Sequence, residues 1–159
     1  MARDPIPSWF FVLVAVRKDD RFLLVQERKF DQTWYLPAGR VEPGEGFIET
    51  AHRETLEEAG IPIVVEGVLR FEHTPFSEGG TRVRAILVAR PADDTPPKST
   101  PDDESLGAAW VTLEELEQLP LRGEDASEIF HYLAQGGQVY PLSALAREGD
   151  PFTPAGEDG

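Results

Sequence analysis

A helical segment held between two turns, within residues 39–61, constrains this chain more than any other feature. A turn of proline and glycine at residues 43–46 precedes the helix. Gly60 is a typical C-cap residue and Pro62 cannot continue a helix, so the pattern predicts a helix over residues 47–59. Because both ends are fixed, the position of each side chain around the helix follows from its place in the sequence.

The two faces of this helix differ in chemistry when successive residues are placed about 100° apart. The apolar face is predicted to hold Ile48, Ala51, Thr55, Leu56 and Ala59. The opposite face is predicted to hold Thr50, Arg53, Glu54, Glu57 and Glu58. A face with this many carboxylates is unfavourable on its own, since like charges three or four residues apart cost roughly 0.2–0.5 kcal/mol per pair.

The three carboxylates of this face, Glu54, Glu57 and Glu58, suit a divalent cation. Carboxylate oxygens on a rigid element are ligands that Mg²⁺ and Mn²⁺ prefer, and a bound cation removes the repulsion between them. Arg53 precedes Glu57 by one helical turn and is placed to orient that carboxylate. The alternative interpretation is a solvated acidic helix face, which is common in proteins.

Charge and composition limit the partners of the chain. The net charge of −14 excludes long nucleic acid as a partner, because phosphate contacts need clustered Lys and Arg. A small nucleotide remains compatible, since a bound cation supplies positive charge locally. The lack of cysteine excludes disulfides, thiolate zinc sites and a cysteine nucleophile.

The length of 159 residues fits one domain, predicted at residues 1–145, with a polar tail at residues 146–159 that we expect to be disordered. The apolar run at residues 9–16 is too short to span a membrane, and no cleavage site follows it. We therefore expect a cytoplasmic protein without membrane contact. The same run predicts either a core strand or an edge strand used in dimer pairing, so a monomer and a homodimer both stay open.

Strand and helix patterns indicate the order β-β-β-α-β-β-β-α-α, and hence a mixed α/β fold with helices packed on a mixed sheet. The predicted strands cover residues 8–17, 21–27, 34–36, 61–72 with a break at Gly67, 82–89 and 108–111. The later helices are predicted at residues 113–119 and 124–134. Residues 37–39, with proline and glycine, are predicted to form a loop.

The spacing within residues 39–61 resembles the Nudix box: Gly, five residues, Glu, seven residues, Arg-Glu, an apolar residue, any residue, Glu-Glu, any residue, Gly and an apolar residue. The residues in register are Gly39, Glu45, Arg53, Glu54, Glu57, Glu58, Gly60 and Ile61. Thr55 stands at an apolar position of the pattern, where its methyl group can still pack. The chain resembles the Nudix (MutT-like) hydrolase family, which implies a mixed curved β-sheet sandwiched between helices.

The resemblance implies that the box binds a metal ion together with a diphosphate. The implied catalytic set is Glu45, Arg53, Glu54, Glu57 and Glu58. Glu57 and Glu58 are then the leading ligands of Mg²⁺, with Mn²⁺ as the alternative metal. Glu54 is either a further ligand or the base for the attacking water. The backbone carbonyl of Ala38 is a further implied ligand.

Two residues outside the helix complete the implied metal site. Glu45 either orients Arg53 or approaches a second metal ion. Some members of the family use one more Glu from outside the box, and Glu104 is the candidate because it precedes the strand at residues 108–111. The alternative for Glu104 is a solvated acid in a linker.

The candidate substrate contacts lie around the box. They are Gly39, Arg28, Trp34, Phe30, Arg84 and Phe76, with Arg82 as a further possible phosphate contact. Gly39 lets the backbone approach the diphosphate. The arginines either bind phosphate or are surface charges. The aromatic residues either stack on a base or pack in the core.

Beyond the box, the chain resembles the 8-oxo-dGDP phosphatase branch of the family. The stretches that carry this resemblance are residues 34–45, 87–91, 104–110, 119–122 and 140–142. It implies Mg²⁺-dependent cleavage of a phosphoanhydride bond in a nucleoside di- or triphosphate by a metal-activated water. The favoured substrate is an oxidised purine nucleotide such as 8-oxo-dGDP or 8-oxo-dGTP.

Two alternatives stay open at this point. One is a pyrophosphatase for ADP-ribose or a dinucleoside polyphosphate, to which Pro75 adds only weak support. The other is a non-catalytic Nudix module that binds a nucleotide or a protein. Glu54, Glu57 and Glu58 are all retained, which favours an active enzyme over the module.

Overall fold

A computed structural model describes residues 2–152 of the chain. The tail expected to be disordered, residues 146–159, therefore lies partly outside the described residues. Within its described part, Arg147 Nη2 donates to Glu49 Oε1 at 2.9 Å. Across residues 2–152, none of the helices has the length and apolar character needed to cross a membrane.

Strands dominate the fold. The strands are β1 (Ser8–Lys18), β2 (Arg21–Gln26), β3 (Trp34–Tyr35), β4 (Ala38–Arg40), β5 (Ile63–Pro75), β6 (Thr81–Pro91), β7 (Gly107–Val111) and β8 (Tyr140–Pro141). The α-helices are α1 (Phe47–Ala59), α2 (Leu113–Leu116) and α3 (Asp125–Ala134). Single 3₁₀ turns lie at Phe30–Gln32 and Leu142–Ala144.

One mixed sheet organises the molecule, in the order β3-β2-β1-β6-β5-β8, with β4 paired to β1 and β7 paired to β2. β1 runs parallel to β6 and antiparallel to β2 and β4. β1 is thus a central strand, and the edge-strand alternative for residues 9–16 is wrong. The predicted break at Gly67 is confirmed, because the register of β5 on β6 shifts there.

Helices cover both faces of the sheet. Along β1 the buried side chains alternate, with Val12 and Val14 in the core under α1, and Leu13 and Ala15 in the core under α3. Phe130 of α3 is fully buried in that second core. The expected mixed α/β fold with helices on both sides of the sheet is confirmed.

The loop predicted at residues 37–39 is wrong in part, since Ala38 and Gly39 belong to β4. β4 pairs with β1, and Ala38 lies opposite Leu13. Just before it, Pro37 accepts a hydrogen bond from the backbone N–H of Val14 at 2.8 Å. Tertiary pairing thus provides the partners for a stretch whose local composition indicates a loop.

The predicted bounds of α1 are confirmed, with Gly60 in the left-handed conformation at φ 71° as its C-cap. The predicted faces are wrong at two positions. Thr50 is fully buried and Leu56 is 55% exposed. Burial of Thr50 is tolerated because its hydroxyl donates to the carbonyl of Gly46 at 3.0 Å and to Glu45 Oε1 at 3.1 Å. The face of α1 that packs against the sheet is therefore rotated relative to the apolar face predicted from the sequence.

The later helices differ from the prediction mainly in length. α2 ends at Leu116 instead of residue 119, while α3 begins at Asp125, one residue later than predicted. Thr112 caps α2, because its hydroxyl accepts a hydrogen bond from the N–H of Glu115 at 3.2 Å. These differences of a few residues are within the usual fraying of helix ends.

Candidate active site

A cleft of about 410 Å³ opens where α1 faces β4, next to β1, β6 and the β2–β3 loop. Glu54 and Glu58 of α1 line it, together with Ala38 and Gly39 of β4. These residues come from both ends of the segment that resembles the Nudix box. The fold therefore brings the helix carboxylates next to the backbone that precedes them in the sequence.

The carboxyl groups of Glu54 and Glu58 lie against each other on one side of this cleft. The backbone N–H of Ala38 donates to Glu58 Oε1 at 3.4 Å. Burial raises the pKa of Glu58 well above its ordinary value, and the hydrogen bond with Glu54 adds to the shift. Burial also raises the pKa of Glu54. Two partly buried carboxyls in contact disfavour simultaneous ionisation unless positive charge is added.

Gly39 leaves the space beside β4 that the carboxylate of Glu54 occupies. An ideal Cβ on Gly39 would lie 2.1 Å from both Cδ and Oε1 of Glu54. Its backbone lies outside the left-handed region that favours glycine, so conformation does not explain the residue. The missing side chain leaves room for the Glu54 carboxylate beside β4.

Arg53 donates hydrogen bonds to three surrounding glutamates. Its Nε donates to Glu45 Oε2 at 2.6 Å and its Nη2 donates to Glu45 Oε1 at 2.9 Å. Its Nη1 donates to Glu54 at 2.8 Å and to Glu57 at 3.2 Å. The hydrogen bond from Arg53 holds the pKa of Glu45 down to about 2. Glu45 thus occupies the place expected of a residue that orients Arg53.

Whether a divalent cation suits this site depends on the donors that face it. Glu54 and Glu58 offer adjacent carboxylate oxygens, the ligand chemistry that Mg²⁺ and Mn²⁺ prefer. The Glu57 side chain is 39% exposed and turned toward Arg53. Among residues 2–152, no three acidic or histidine side chains converge on one point. The buried pair fits a cation, while Glu57 would have to leave Arg53 to join it.

Five further predicted residues line the cleft, namely Arg28, Phe30, Arg82, Arg84 and Glu104. Arg28 Nη1 donates to the carbonyl of Asp102 at 3.0 Å, which fixes its side chain at the rim. Phe30 is 56% exposed and has a left-handed backbone, with φ at 57°. An exposed aromatic ring at the mouth of a polar cleft is well placed to contact a base.

Two predicted aromatic contacts lie elsewhere. Trp34 packs partly buried against the core under α3 and does not line the cleft. Phe76 lines a separate cavity of about 500 Å³, with its ring centroid 6.2 Å from that of Trp9. The core alternative given for Trp34 therefore agrees with its position.

Arg84 lines the cleft, but three of its five N–H groups already donate to acids of the protein. Its Nε donates to Glu72 at 2.6 Å, and Nη1 and Nη2 donate to the two oxygens of Asp125 at 3.1 and 3.2 Å. The side chain of Arg84 is only 18% exposed. It joins β6, β5 and α3 and has little capacity left for a substrate phosphate.

A guanidinium–aromatic stack on the wall of the cleft was not predicted from the sequence. The Arg122 guanidinium lies 4.4 Å from the ring centroid of Phe30 and 3.9 Å from that of Tyr35. Arg122 Nε also lies 3.0 Å from Glu27 Oε1. Strand alternation separates Tyr35 from Trp34 and could have indicated its inward position. No local signal marks Arg122, because it is placed by long-range backbone pairing with Trp34.

Comparison with known proteins agrees with this geometry. The NUDIX domain profile matches residues 9–133. The human 8-oxo-dGDP phosphatase NUDT18 is 39% identical over 130 residues, which cover 79% of this chain and 39% of that protein. This chain therefore spans well under half the length of that relative.

Two further matches extend over nearly whole proteins. The Escherichia coli phosphatase NudJ is 31% identical over 144 residues, covering 89% of this chain and 93% of NudJ. The structure of a NUDIX hydrolase from Nitrosomonas europaea superposes with a TM-score of 0.72 at 28% identity, covering 90% of this chain and 99% of the other. With the domain profile, the curated relatives and the fold in agreement, this chain belongs to the Nudix hydrolase family.

Proposed function

We propose that this protein is a Mg²⁺-dependent enzyme that hydrolyses a phosphoanhydride bond of a nucleoside di- or triphosphate. The observation that carries the proposal is the partly buried contact between Glu54 and Glu58 beside Gly39, within a cleft lined on its other walls by arginines. A cavity of about 410 Å³ is within the range that takes nucleotide-sized ligands.

Glu57 and Glu58 are the proposed ligands of the cation, joined by Glu54 and by the carbonyl of Ala38, and Glu57 takes this role by turning from Arg53 toward the cleft. The bound cation supplies charge neutralisation on the phosphoryl oxygens and acidifies water. Glu54, next to Glu58, is the alternative acceptor for the proton of the attacking water. Glu104, at the rim of the cleft, is a further possible ligand, for which its exposed position gives weaker support.

Arg53 and Glu45 have a positioning role in this proposal. The hydrogen bonds from Arg53 to Glu54 and Glu57 fix carboxylates that would otherwise repel each other. Glu45 holds the guanidinium from the other side through two hydrogen bonds. Partners that orient ligands in this way affect metal affinity and activity almost as much as the ligands do.

An oxidised purine nucleotide, such as 8-oxo-dGDP or 8-oxo-dGTP, is the proposed substrate. Support comes from the name of the human relative, an 8-oxo-dGDP phosphatase at 39% identity. Further support comes from Phe30, an exposed ring at the mouth of the cleft that can contact a base. A monomer or homodimer in the cytoplasm stays the expectation for the whole protein.

A substrate panel tests the proposal. Purified protein is assayed for phosphate or pyrophosphate release from GDP, GTP, their 8-oxo forms, ADP-ribose and a dinucleoside polyphosphate, with Mg²⁺, with Mn²⁺ and after EDTA treatment. We expect the highest kcat/KM on an 8-oxo nucleotide and loss of activity in EDTA. A value for ADP-ribose or the dinucleotide higher by about tenfold, or ~1.4 kcal/mol, would make the substrate assignment wrong. Inactivity of folded protein on every compound would favour a non-catalytic binding module.

A further inference from the structure

Several cations on the cleft wall are already paired with acids of the protein itself. Arg84 is paired with Glu72 and Asp125. Arg122 is paired with Glu27. The Arg84 guanidinium donates hydrogen bonds to both of its acids, and that of Arg122 is held in a stack between Phe30 and Tyr35. A cation without such a partner is better able to bind an anion that enters the cleft.

Arg82 of β6 is such a cation. It is exposed, and among residues 2–152 its side chain makes no hydrogen bond or ion pair. Its Cζ lies 4.7 Å from the ring centroid of Phe11, so the guanidinium stacks on an aromatic face. Stacking uses the flat face of the guanidinium and leaves the N–H groups at its edge free to donate.

The backbone of Arg82 is held by strand pairing on both sides of β6. β6 is paired on both sides, and Arg82 lies opposite Trp9 of β1 and Thr74 of β5. Lys29, which also lines the cleft, is exposed at the β2–β3 loop and carries its ammonium on a flexible four-carbon stem. The charge of Arg82 is therefore held in place by strand pairing and by Phe11 before any ligand arrives.

Phe11, on whose ring Arg82 stacks, belongs to a strand that pairs with β4 on the side of the cleft that carries the carboxylates. Phe11 pairs with Arg40 of β4. The residue before Arg40 is Gly39, which lies beside Glu54. Neighbouring strands lie about 4.8 Å apart, so Phe11 is separated from that backbone by one strand spacing. Arg82 and Glu54 line the same cleft with opposite charge. A diphosphate held near the carboxylates would have one side toward α1 and its other side toward β6.

We propose that Arg82, backed by Phe11, binds the diphosphate group of the substrate on the side that faces away from α1. The inference rests on the proposed function, since it assumes that a diphosphate is held beside Glu54 and Glu58. Guanidinium N–H groups donate to phosphoryl oxygens through charge-assisted hydrogen bonds, often two at once. Arg82 is then a substrate-binding residue, while Arg84, two residues along the same strand, is a structural one.

Direct binding of a diphosphate that cannot be hydrolysed tests this assignment. Isothermal titration calorimetry with methylenediphosphonate and Mg²⁺ compares the wild-type protein with Arg82→Gln, Arg82→Lys and Arg90→Gln. Arg90 is the matched control, an exposed arginine of β6 that lies 3.9 Å from Glu66 and outside the cleft. We expect Arg82→Gln to weaken binding about tenfold or more, Arg82→Lys to weaken it less, and Arg90→Gln to leave it within about twofold.

The outcomes separate this inference from the proposed function. Equal affinity of Arg82→Gln and the wild-type protein for methylenediphosphonate would overturn it, as would the absence of binding by the wild-type protein. Weakened binding of a nucleotide with unchanged binding of the diphosphonate would also overturn it, because Arg82 would then contact the base. Arg82-dependent binding in a protein that hydrolyses none of the nucleotides would instead support the inference and contradict the proposed hydrolysis. Equal melting temperatures of the variants would show that folding is unaffected.

Discussion

Arg53 and Glu45 join α1 to the turn that precedes it, with Nε of the arginine donating to Oε2 of the glutamate at 2.6 Å and Nη2 donating to Oε1 at 2.9 Å. The same guanidinium holds Glu54 and Glu57 on its other side. A single planar group therefore fixes the relative positions of three carboxylates. A lysine has one charged nitrogen and cannot reproduce this geometry.

Arg53→Lys is predicted to lower kcat by about 10- to 100-fold and to raise the Mg²⁺ concentration needed for half-maximal activity. The control is Arg147→Lys. Arg147 pairs with Glu49 of α1, and the side chains of Arg147 and Glu49 are 70% and 55% exposed. Activity assays over a Mg²⁺ titration measure both effects. Unchanged kcat and metal dependence in Arg53→Lys would show that the network has no role in catalysis.

Gly39→Ala is predicted to abolish most activity at little cost in stability. The added Cβ would displace the Glu54 carboxylate, which is the mobile end of a flexible side chain, while the backbone conformation suits alanine. Gly46→Ala is a matched control, since its Cβ would lie 2.7 Å from Glu49 Oε2, outside the cleft. Thermal melting and kcat are measured for both. A large fall in the melting temperature of Gly39→Ala would mean that the backbone, and not Glu54, takes up the strain.

Glu58→Gln is predicted to reduce activity by about 100-fold or more, because it removes a charged metal ligand. The metal-free protein should be no less stable, since a neutral amide relieves the cost of a buried charge next to Glu54 and can still accept from Ala38. Thermal melting in EDTA measures the second effect, with Glu49→Gln as the control. A sharp fall in the melting temperature would instead identify Glu58 as a structural residue.

Tyr35 is predicted to ionise late in an alkaline titration. Burial raises its pKa to about 12 from an ordinary value of 10.0, and the hydrogen bond to Asp125 adds to the shift. Because the folded state retains the proton more strongly, this group contributes stability below pH 10.0, and that contribution is lost as the pH rises toward about 12.

The titration is followed by the ultraviolet absorbance of tyrosinate in the wild-type protein and in Tyr35→Phe and Asp125→Asn. The phase near pH 12 should be missing from Tyr35→Phe and should move to lower pH in Asp125→Asn. If all three tyrosines of the wild-type protein ionised together near pH 10.0, the assignment of the shift to burial of Tyr35 would be wrong.

Arg84→Gln is predicted to lower the free energy of unfolding by about 2 kcal/mol, because it removes charge-assisted hydrogen bonds to Glu72 and Asp125. Arg82→Gln, on the same strand, should leave stability nearly unchanged, since Arg82 is exposed and stacks only on Phe11. Urea unfolding of both variants makes the comparison. Equal loss in the two variants would remove the distinction between a structural and a substrate-binding arginine.

Local signals predicted the parts of the fold that local interactions determine. The glycine turn before α1 and Gly60 after it fix both ends of the helix, and both were predicted correctly. β4 was missed, because the partner of Ala38 is Leu13 on a strand much earlier in the sequence. Local composition does not reveal a partner that only tertiary pairing provides.

The site shows the same division. The carboxylates of α1 follow one helical repeat, and Glu54 and Glu58 do meet at the cleft. Arg122 was not foreseen, since Phe30 and Tyr35 reach it only through strand pairing. For Arg84 the sequence left open a phosphate contact or a surface charge, because its partner Asp125 lies on a helix distant in the sequence.

The parallel pairing of β1 with β6 also bears on how quickly the protein becomes functional. Ser8 pairs with Thr81, so a long loop must close before these strands can join. Closure of this kind is slow compared with the formation of a helix such as α1. The same pairing brings Phe11 beside Arg82. During folding, the helix carrying the carboxylates can form early, whereas the opposite wall of the cleft exists only after the slow step, so binding competence should arise together with the last tertiary contacts.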